Sequence, residues 1–298
     1  MAIVKSFSVG DGDMFAIKHN SDNFTIIDCC LDNNNCEEII QQLRQLKRDK
    51  GIFRFISTHP DEDHILGLEL IDEEFGIPNF YCVENQADKK DKTDSFIKYC
   101  ELRDSQKAFY IYKGCQRRWM NLNSEERDSA RIEILWPVIE NKYYKEELQK
   151  ARNGASPNNI SPIITYSVRD FKFIWFGDLE TEFMKKIENN IKLPEVDFIF
   201  APHHGRDSGK LPSSWLEQLN PQLIIIGEAP SKNLNYYPGY NTITQNSAGN
   251  ITFEIQKDLI EVYVSNPNYS CKLCDGRVFE TQFRQNNFFE YFLFKITR

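Results

Sequence analysis

The residues from Thr58 to His64 are of the types most able to do chemistry, and they stand close together. The segment reads Thr-His-Pro-Asp-Glu-Asp-His and follows the largely apolar run 53–56, where a buried strand is expected to end. Two of the chain's five histidines lie in it, and two more form the pair His203-His204. Histidine and aspartate are ligands for zinc, manganese and iron. A scarce ligand type gathered at two strand ends therefore indicates a metal centre.

Each motif also has an ordinary explanation when it is taken alone. An Asp-rich turn after a strand commonly caps a helix, because carboxylates accept hydrogen bonds from the N–H groups of the first turn. A His-His pair is commonly solvated or hydrogen-bonded. Here both motifs occur with a third, Gly177-Asp178, at another expected strand end. The combination favours the metal centre.

These motifs resemble those of a known family. The segment His59–His64 resembles the H-x-[HD]-x-D-H signature of the metallo-β-lactamase fold. Its form with Asp61, followed by Ile65–Leu68, resembles the hydrolase domain of ComEC-type DNA-uptake proteins and their free-standing relatives. Further segments resemble the family in the family's order, from about residue 4 to about residue 255: Ser8–Asp13, Ile26–Asp28, Pro157–Ser161, Phe176–Glu180, Pro202–Gly205 and Ala248–Ile251. The resemblance implies an α/β fold, a metallo-β-lactamase-like αββα sandwich with metals at one edge between two sheets.

The resemblance also implies roles for the candidate residues. The ligand set would be His59 and Asp61 at a first ion, Asp63 and His64 at a second, and Asp178 between them. His203 would be a second-site ligand or a proton donor to the leaving group, with His204 in the other role. Asp63, His203 and His204 are thus the candidate catalytic residues.

Two departures from the family pattern affect the expected metal and substrate contacts. Many members have a further histidine where this chain has Asn158–Ser161, so Asn159 and Ser161 offer only oxygen and nitrogen contacts to substrate. Uptake-type relatives tend to carry His-Pro where this chain has Tyr237-Pro238. Tyr237 is a candidate substrate contact, with a packed loop tyrosine as the alternative. An oxygen-rich site suits harder ions, which favours manganese over a purely zinc site and leaves a weakly bound or single metal open. The expected cofactors are two divalent ions, zinc or manganese.

The resemblance implies a metal-dependent hydrolase. Two ions can share a hydroxide and make a nucleophile at neutral pH. The favoured function is a two-metal phosphodiesterase or DNA nuclease, and free-standing relatives can act as effectors beside a partner protein in bacterial defence. Two alternatives stay open. One is a hydrolase of a small phosphodiester, thioester or lactone, and the other is a non-catalytic metal-binding interaction module.

Overall charge argues mildly against a strong grip on duplex DNA. The formal net charge is −8, whereas proteins that bind long nucleic acid usually present a basic face. The best candidate for a local basic strip is Lys113, Arg117 and Arg118, interleaved with Tyr112 and Trp119. The alternative is an ordinary solvated surface. DNA or another phosphodiester is the expected partner.

The chain shows no run of 18 apolar residues and no apolar signal-peptide centre near Met1, so we expect a cytoplasmic protein with no membrane partner. In that setting its eight cysteines are expected to be reduced thiols. Cys271 and Cys274 form a lone CxxC pair, whereas a zinc ribbon needs two such pairs, so a turn with two thiols is predicted there over a structural zinc site.

The elements that must position these motifs follow from periodicity. The resemblance implies one metallo-β-lactamase-like hydrolase domain over 1–265, with a charged insertion at about 86–152. The residues beyond it, 266–298, are expected to form an aromatic extension packed on the domain. The run Phe288–Phe294 is too apolar for a free tail, so it is either a last strand or a surface for a protein partner. Helices are predicted at about 36–49, 63–73, 92–103, 124–130, 140–152, 180–191 and 215–219.

Overall fold

The structure is a computed structural model that describes residues 1–228, 235–274, 282–285 and 288–298. Of residues 274, 282–285 and 288–289 it describes the backbone alone. Nothing is therefore described of the side chain of Cys274 or of the aromatic rings of Phe288 and Phe289. The prediction about the CxxC pair falls on a side chain outside the described residues.

Short strands predominate, as the many short apolar runs of the sequence predict. The strands are β1 (Ala2–Ser6), β2 (Phe15–Lys18), β3 (Asn23–Ile27), β4 (Cys29–Cys30), β5 (Ile52–Ile56), β6 (Phe80–Cys82), β7 (Ala108–Tyr110), β8 (Ile132–Trp136), β9 (Ile163–Val168), β10 (Phe171–Trp175), β11 (Phe198–Phe200), β12 (Leu223–Ile226), β13 (Thr242–Thr244), β14 (Ile251–Ile255), β15 (Leu259–Val264), β16 (Gln282–Gln285) and β17 (Phe288–Thr297). The α-helices are α1 (Cys36–Lys47), α2 (Glu62–Ile65), α3 (Leu68–Phe75), α4 (Asp94–Arg103), α5 (Lys142–Arg152), α6 (Thr181–Ile187), α7 (Ser213–Leu219) and α8 (Gln245–Ala248).

The strands form two mixed sheets that pack face to face. Over the described ranges, the larger sheet has the order β16-β17-β15-β14-β1-β2-β3-β5-β6-β7 and the smaller one β13-β12-β11-β10-β9-β8. Aromatic side chains fill the space between them. The ring of Phe15 lies 4.7 Å from that of Phe200, and the ring of Phe253 lies 5.1 Å from that of Phe198. These contacts place the main core between the two sheets.

Helices cover the outer faces of both sheets. A second apolar cluster joins strands of the larger sheet to helices α1, α3 and α4. On the smaller sheet, Trp215 of α7 packs on Phe176 with ring centroids 5.9 Å apart. The α/β class and the αββα layering expected from the metallo-β-lactamase resemblance are thus confirmed.

The helix predicted over 63–73 is interrupted. It forms as α2 and α3, separated at Gly67, which has φ +80°. Two backbone bridges, Cys29 with Ile65 and Cys30 with Leu66, tie the break to β4. The predicted helical spacing is present on each side of Gly67, but pairing with β4 interrupts the helix.

The helix predicted over 124–130 is wrong. Residues 125–127 form a turn in which the Arg127 N–H donates to the Ser124 hydroxyl at 3.1 Å. Asp128 and Arg131 both adopt positive φ, +55° each. Charged residues favourable to helices are therefore held in a loop. The segment before this loop reaches the larger sheet, where the Trp119 carbonyl accepts a hydrogen bond from buried Arg54 at 2.9 Å.

The segment 86–152, predicted as a charged insertion, contributes to both sheets. It supplies β7 at one edge of the larger sheet and β8 at one edge of the smaller sheet. The division of the chain at about residue 265 stays a prediction.

The C-terminal strand β17 pairs with β15 along most of its length. Leu293 and Phe294 are buried against the core. Glu290 lies 4% exposed and forms an ion pair with Lys5 of β1, which is 5% exposed. The aromatic extension is therefore a strand of the sheet, and its role as a partner surface stays a prediction.

Two further predictions from the sequence concern membrane-spanning helices and disulfide bonds. Within the described chain, no helix is long and apolar enough to cross a membrane. No disulfide joins the cysteines whose side chains are described.

Candidate metal centre

Strand ends from both sheets meet at one edge of the sandwich. In the larger sheet, β3 and β5 are parallel and end in Asp28 and in the segment Ser57–His59. In the smaller sheet, β10 and β11 are parallel and end in Asp178 and in the pair His203-His204. Because parallel strands deliver their carboxyl ends to the same edge, these side chains converge there.

Asp178 is the centre of this convergence, with a side chain that is 3% exposed. Its Oδ1 lies 3.1 Å from His64 Nε2. Its Oδ2 lies 3.5 Å from His203 Nε2 and 3.6 Å from His204 Nε2. His59 Nε2 is 3.9 Å from the same Oδ2. One buried carboxylate thus faces four imidazoles, and its two oxygen atoms face different ones.

Two further carboxylates flank His204. Its Nδ1 lies 3.2 Å from Asp13 Oδ1, and its Nε2 lies 3.3 Å from Asp63 Oδ2. In the described chain, the group whose donor atoms all lie within 4.8 Å of one another is Asp13, His64, Asp178 and His204. Asp13 was not among the predicted ligands. The signal was present in the sequence, because Asp13 closes the Ser8–Asp13 turn that carries part of the family resemblance.

The turn that carries Asp13 is held close to α2. The Asp13 N–H donates to the Asp63 carbonyl at 3.1 Å. A Cβ atom on Gly12 would lie 2.5 Å from that carbonyl oxygen and 2.6 Å from Cys30 Sγ. Only glycine allows this approach, so Gly12 lets Asp13 reach His204.

Asp28 orients His64 from behind. Its Oδ2 lies 2.9 Å from His64 Nδ1, and it also accepts hydrogen bonds from the backbone N–H and the hydroxyl of Thr58 at 2.7 and 2.6 Å. A carboxylate on Nδ1 directs the other nitrogen, Nε2, towards Asp178. Such outer carboxylates fix the tautomer and the orientation of ligand histidines.

Ser161 plays a similar positioning role for His59. The Ser161 hydroxyl lies 3.3 Å from His59 Nδ1 and accepts a hydrogen bond from the Asp178 N–H at 3.2 Å. Ser161 is fully buried. A Cβ on Gly177 would lie 2.7 Å from the Ser161 oxygen. Ser161 thus links His59 to the backbone of Asp178, and its predicted contact with substrate stays a prediction.

Asp61 lies at the outer side of the cluster. Its Oδ2 is 3.9 Å from His59 Nε2, while its Oδ1 forms an ion pair with Lys89 Nζ at 3.0 Å. The Ser156 hydroxyl is 3.5 Å from Asp61. The Asp61 side chain is 27% exposed. The structure thus brings Asp61 to the edge of the cluster, with a lysine on its solvent side.

The other predicted substrate contacts make bonds away from Asp178. The Asn159 amide donates to Glu180 at 2.9 Å and steadies the loop after Asp178. Tyr237 is 3% exposed, and its hydroxyl accepts from the Leu211 N–H at 3.4 Å. Of the two readings of Tyr237, the geometry matches the packed loop tyrosine.

Among the described contacts of Arg117 and Arg118, none is with the cluster. The Arg117 guanidinium lies 4.9 Å from the ring centre of Phe109, and that of Arg118 lies 4.8 Å from the Trp119 ring. Arg118 also approaches Glu126 at 3.9 Å. Their role in binding nucleic acid stays a prediction.

The cluster fits a metal ion by two criteria. First, four buried donor atoms have no well-directed hydrogen bond within the described part of the chain: His59 Nε2, His64 Nε2, Asp178 Oδ1 and His204 Nδ1. Second, donors around a tetrahedral ion with bonds of 2.0–2.2 Å lie roughly 3.3–3.6 Å apart. The contacts of Asp178 with His64, His203 and His204 span 3.1 to 3.6 Å.

The electrostatics of the cluster favour positive charge. Burial opposes a charge on His204, but Asp13 and Asp178 outweigh it and raise the pKa of His204 to about 10. Burial also opposes a charge on His64, yet Asp178 and Asp28 raise the pKa of His64 well above its ordinary value. By contrast, burial and the neighbouring His64 lower the pKa of His59. Protons and divalent ions compete for such nitrogen atoms.

Comparisons with known proteins add an architectural likeness. No family model matches the chain, and no curated protein matches it. Two solved structures of the CmlA beta-hydroxylase are similar in fold. The enzyme from Streptomyces venezuelae, described as a diiron beta-hydroxylase, shows 10% identity and a TM-score of 0.45 over 79% of this chain and 46% of its own. A mutant form shows 10% identity and a TM-score of 0.44 over 76% and 46%.

The chain therefore spans less than half the length of these structures. With TM-scores of 0.44 and 0.45, the likeness carries no assignment of reaction or ligand. None of the comparisons bears on the resemblance to ComEC-type proteins, which stays a prediction.

Proposed function

We propose that this chain is a metal-dependent hydrolase that cleaves phosphodiesters, with DNA as the leading substrate, and that it uses two divalent ions, zinc or manganese. One observation carries the proposal. The buried carboxylate of Asp178 turns one oxygen to His64 and the other to His59, His203 and His204. A carboxylate with donors on both sides is suited to bridge two ions.

We assign the donors to two sets that share Asp178. His59 and Asp61, whose donor atoms lie 3.9 Å apart, would hold one ion. His64, His204 and Asp13, whose donor atoms lie within 4.8 Å of one another and of an Asp178 oxygen, would hold the second ion together with Asp63. A bound pair of divalent ions would lower the pKa of water towards neutrality and stabilise charge on the attacked phosphorus centre.

Exposure supports different roles for the two adjacent histidines. The His204 side chain is fully buried, and carboxylates face both of its ring nitrogens. The His203 side chain is 14% exposed, with Nε2 towards Asp178 and Nδ1 at 2.9 Å from the Ser208 hydroxyl. We therefore assign His204 to the ligand set and His203 to proton donation to the leaving group, from Nε2.

Substrate would approach from the solvent side of the cluster. The most exposed members are Asp63 at 34% and Asp61 at 27% of the side chain. Asp63 Oδ2 accepts a hydrogen bond from His204 Nε2 at 3.3 Å, and as an ionised carboxylate Asp63 would orient the attacking water. His59 and His64 are fully buried behind them, so substrate reaches the carboxylates first.

The proposal is tested by metal removal and phosphodiester turnover. Protein stripped with EDTA is expected to lose hydrolysis of bis-p-nitrophenyl phosphate and to regain it with manganese or zinc. Metal content measured by mass spectrometry should rise towards two ions per chain. Asp178→Asn should lose both bound metal and turnover.

A control variant and two further outcomes distinguish the proposal from its alternatives. Lys257→Ala, an exposed site in the turn between β14 and β15, serves as the control and should retain full activity. Unchanged turnover in excess EDTA overturns the metal-dependent mechanism. If manganese and zinc bind but no phosphodiester is cleaved, thioester and lactone substrates should be assayed, and turnover of either replaces the phosphodiesterase assignment.

A further inference from the structure

A cleft opens beside Asp61, on the solvent side of the cluster. Its volume is about 630 Å³, and it is lined by Asp61 and by residues 88–91 and 152–157. Because Asp61 Oδ2 lies 3.9 Å from His59 Nε2, the cleft adjoins the proposed metal centre. A smaller cavity of about 190 Å³ around His19 contains none of the cluster residues.

Three cationic side chains line this cleft: Lys89, Lys90 and Arg152. Lys89 is the innermost, with its Nζ 3.0 Å from Asp61. Lys90 and Arg152 are exposed, and neither forms an ion pair with a described residue. Of the acids in the cleft wall, Asp88 pairs with Lys92 at 2.7 Å. The cleft therefore presents two uncommitted cations, with Asp91 as the remaining acid.

The walls of the cleft are held in place from both sides. The Asp88 N–H donates to the Ala151 carbonyl at 3.2 Å, which joins the segment 88–91 to the end of α5. The Ser156 hydroxyl approaches Asp61 at 3.5 Å and the Asn158 side chain at 2.5 Å. These contacts join the two walls of the cleft to each other and one of them to Asp61.

We propose that this cleft binds a second phosphate of the substrate, the one next to the phosphodiester that is cleaved. The inference rests on the proposed function and names its substrate class as an oligonucleotide strand with at least two phosphates. Lys90 and Arg152 would contact the second phosphate directly, since lysine and arginine form charge-assisted hydrogen bonds with phosphate oxygens. Lys89 would lie between the two phosphates and act as a positioning residue for Asp61.

A phosphate subsite differs from an ordinary charged surface in one measurable respect. Arginine in the last turn of a helix is favoured by the helix dipole alone, and exposed lysines are common. Neither explanation predicts that a phosphate one position away from the cleaved bond changes the Michaelis constant. A subsite does predict that change, because the contact strengthens binding of substrate and transition state alike.

The test compares three thymidine dinucleotides: TpT, pTpT with a 5′-phosphate, and TpTp with a 3′-phosphate. For the wild-type protein with manganese, we expect one phosphorylated form to show kcat/KM about tenfold above that of TpT, through a lower KM. In Lys90→Ala/Arg152→Ala this ratio should fall to near one. A ratio within one protein is independent of the fraction that is folded.

A control variant removes the same charge elsewhere. Lys186→Ala/Lys257→Ala changes two exposed lysines that do not line the cleft, and it should keep the wild-type ratio. If no phosphorylated dinucleotide is preferred, or if the preference survives in the Lys90/Arg152 variant, the subsite is overturned while the phosphodiesterase stands. If TpT and bis-p-nitrophenyl phosphate are both inert with manganese and zinc, the proposed function and the subsite fall together.

Discussion

At the residue scale, the histidines around Asp178 differ in the group that contacts the ring nitrogen facing away from Asp178. His64 is backed by Asp28, His59 by Thr58 and Ser161, and His203 by Ser208. Among the described contacts, only His64 pairs the ring nitrogen that faces away from Asp178 with a carboxylate outside the candidate ligand set. Its orientation therefore depends most on one ionic contact.

That dependence leads to a prediction for Asp28→Asn. The backbone at Asp28 has φ +54°, which asparagine tolerates well. The change should therefore leave the fold intact while weakening the hold on His64. Metal affinity should fall by about 10- to 100-fold, measured by titration with manganese or zinc.

The control is Asp32→Asn, a nearby exposed aspartate that accepts hydrogen bonds from the backbone of Asn34 and Asn35. Its metal affinity should match the wild type. Equal affinity for the Asp28 variant and the wild type would show that the outer carboxylate does not orient His64.

At the element scale, short turns after strands decide which side chains meet. Gly177, between β10 and Asp178, has φ +51°, and a Cβ there would lie 2.7 Å from Ser161 Oγ and 3.0 Å from Thr58 Cβ. Gly76, at the end of α3, has a similar φ of +59° with open space around it. The two glycines share a positive φ and differ in crowding.

Alanine substitutions at Gly76 and Gly177 separate the cost of the left-handed backbone from the cost of crowding. Gly76→Ala should cost about 1–2 kcal/mol of unfolding free energy from the left-handed backbone alone. Gly177→Ala should cost a further 1–3 kcal/mol, roughly, from overpacking, and should weaken metal binding by displacing Ser161 and His59. Urea unfolding and metal titration measure both effects. Equal costs with unchanged affinity would show that the close packing at Gly177 does not position the ligands.

Sequence patterns located most of these elements, since strand ends with scarce ligands are readable from residue type. His59, His64, Asp178 and the His203-His204 pair were predicted and are brought together. Asp13 was not predicted as a ligand, although the Ser8–Asp13 turn carried part of the family resemblance, because its distance from His204 is set by the close packing of Gly12 against Asp63. The break at Gly67 was missed for a related reason, since pairing of α2 with β4 overrides helical periodicity.

At the scale of the whole molecule, the two ends of the chain meet in one sheet. Lys5 and Glu290 form a buried ion pair between β1 and β17, and Thr252 also donates to Glu290 at 2.9 Å. Arg298 pairs with Asp197 at the smaller sheet. The aromatic extension is thereby joined to the first strand.

Breaking that pair should be costly. Glu290→Gln keeps the shape and the hydrogen bond from Thr252 but leaves the Lys5 charge buried without a counter-charge. The free energy of unfolding should fall by about 3 kcal/mol, measured by urea unfolding. Lys5→Met combined with Glu290→Gln should recover most of this loss. A single variant as stable as the wild type would show that the pair contributes nothing to stability.

The position of β1 has a consequence for the order of events during synthesis. This strand lies inside the larger sheet, between β2 and β14, and Ala2 pairs with Ile255. Until β14 leaves the ribosome, β1 exposes a row of backbone groups that any other strand can pair with. The nascent chain thus has an unpaired strand edge during most of its synthesis. Closing this long-range pairing is expected to be a slow step in folding.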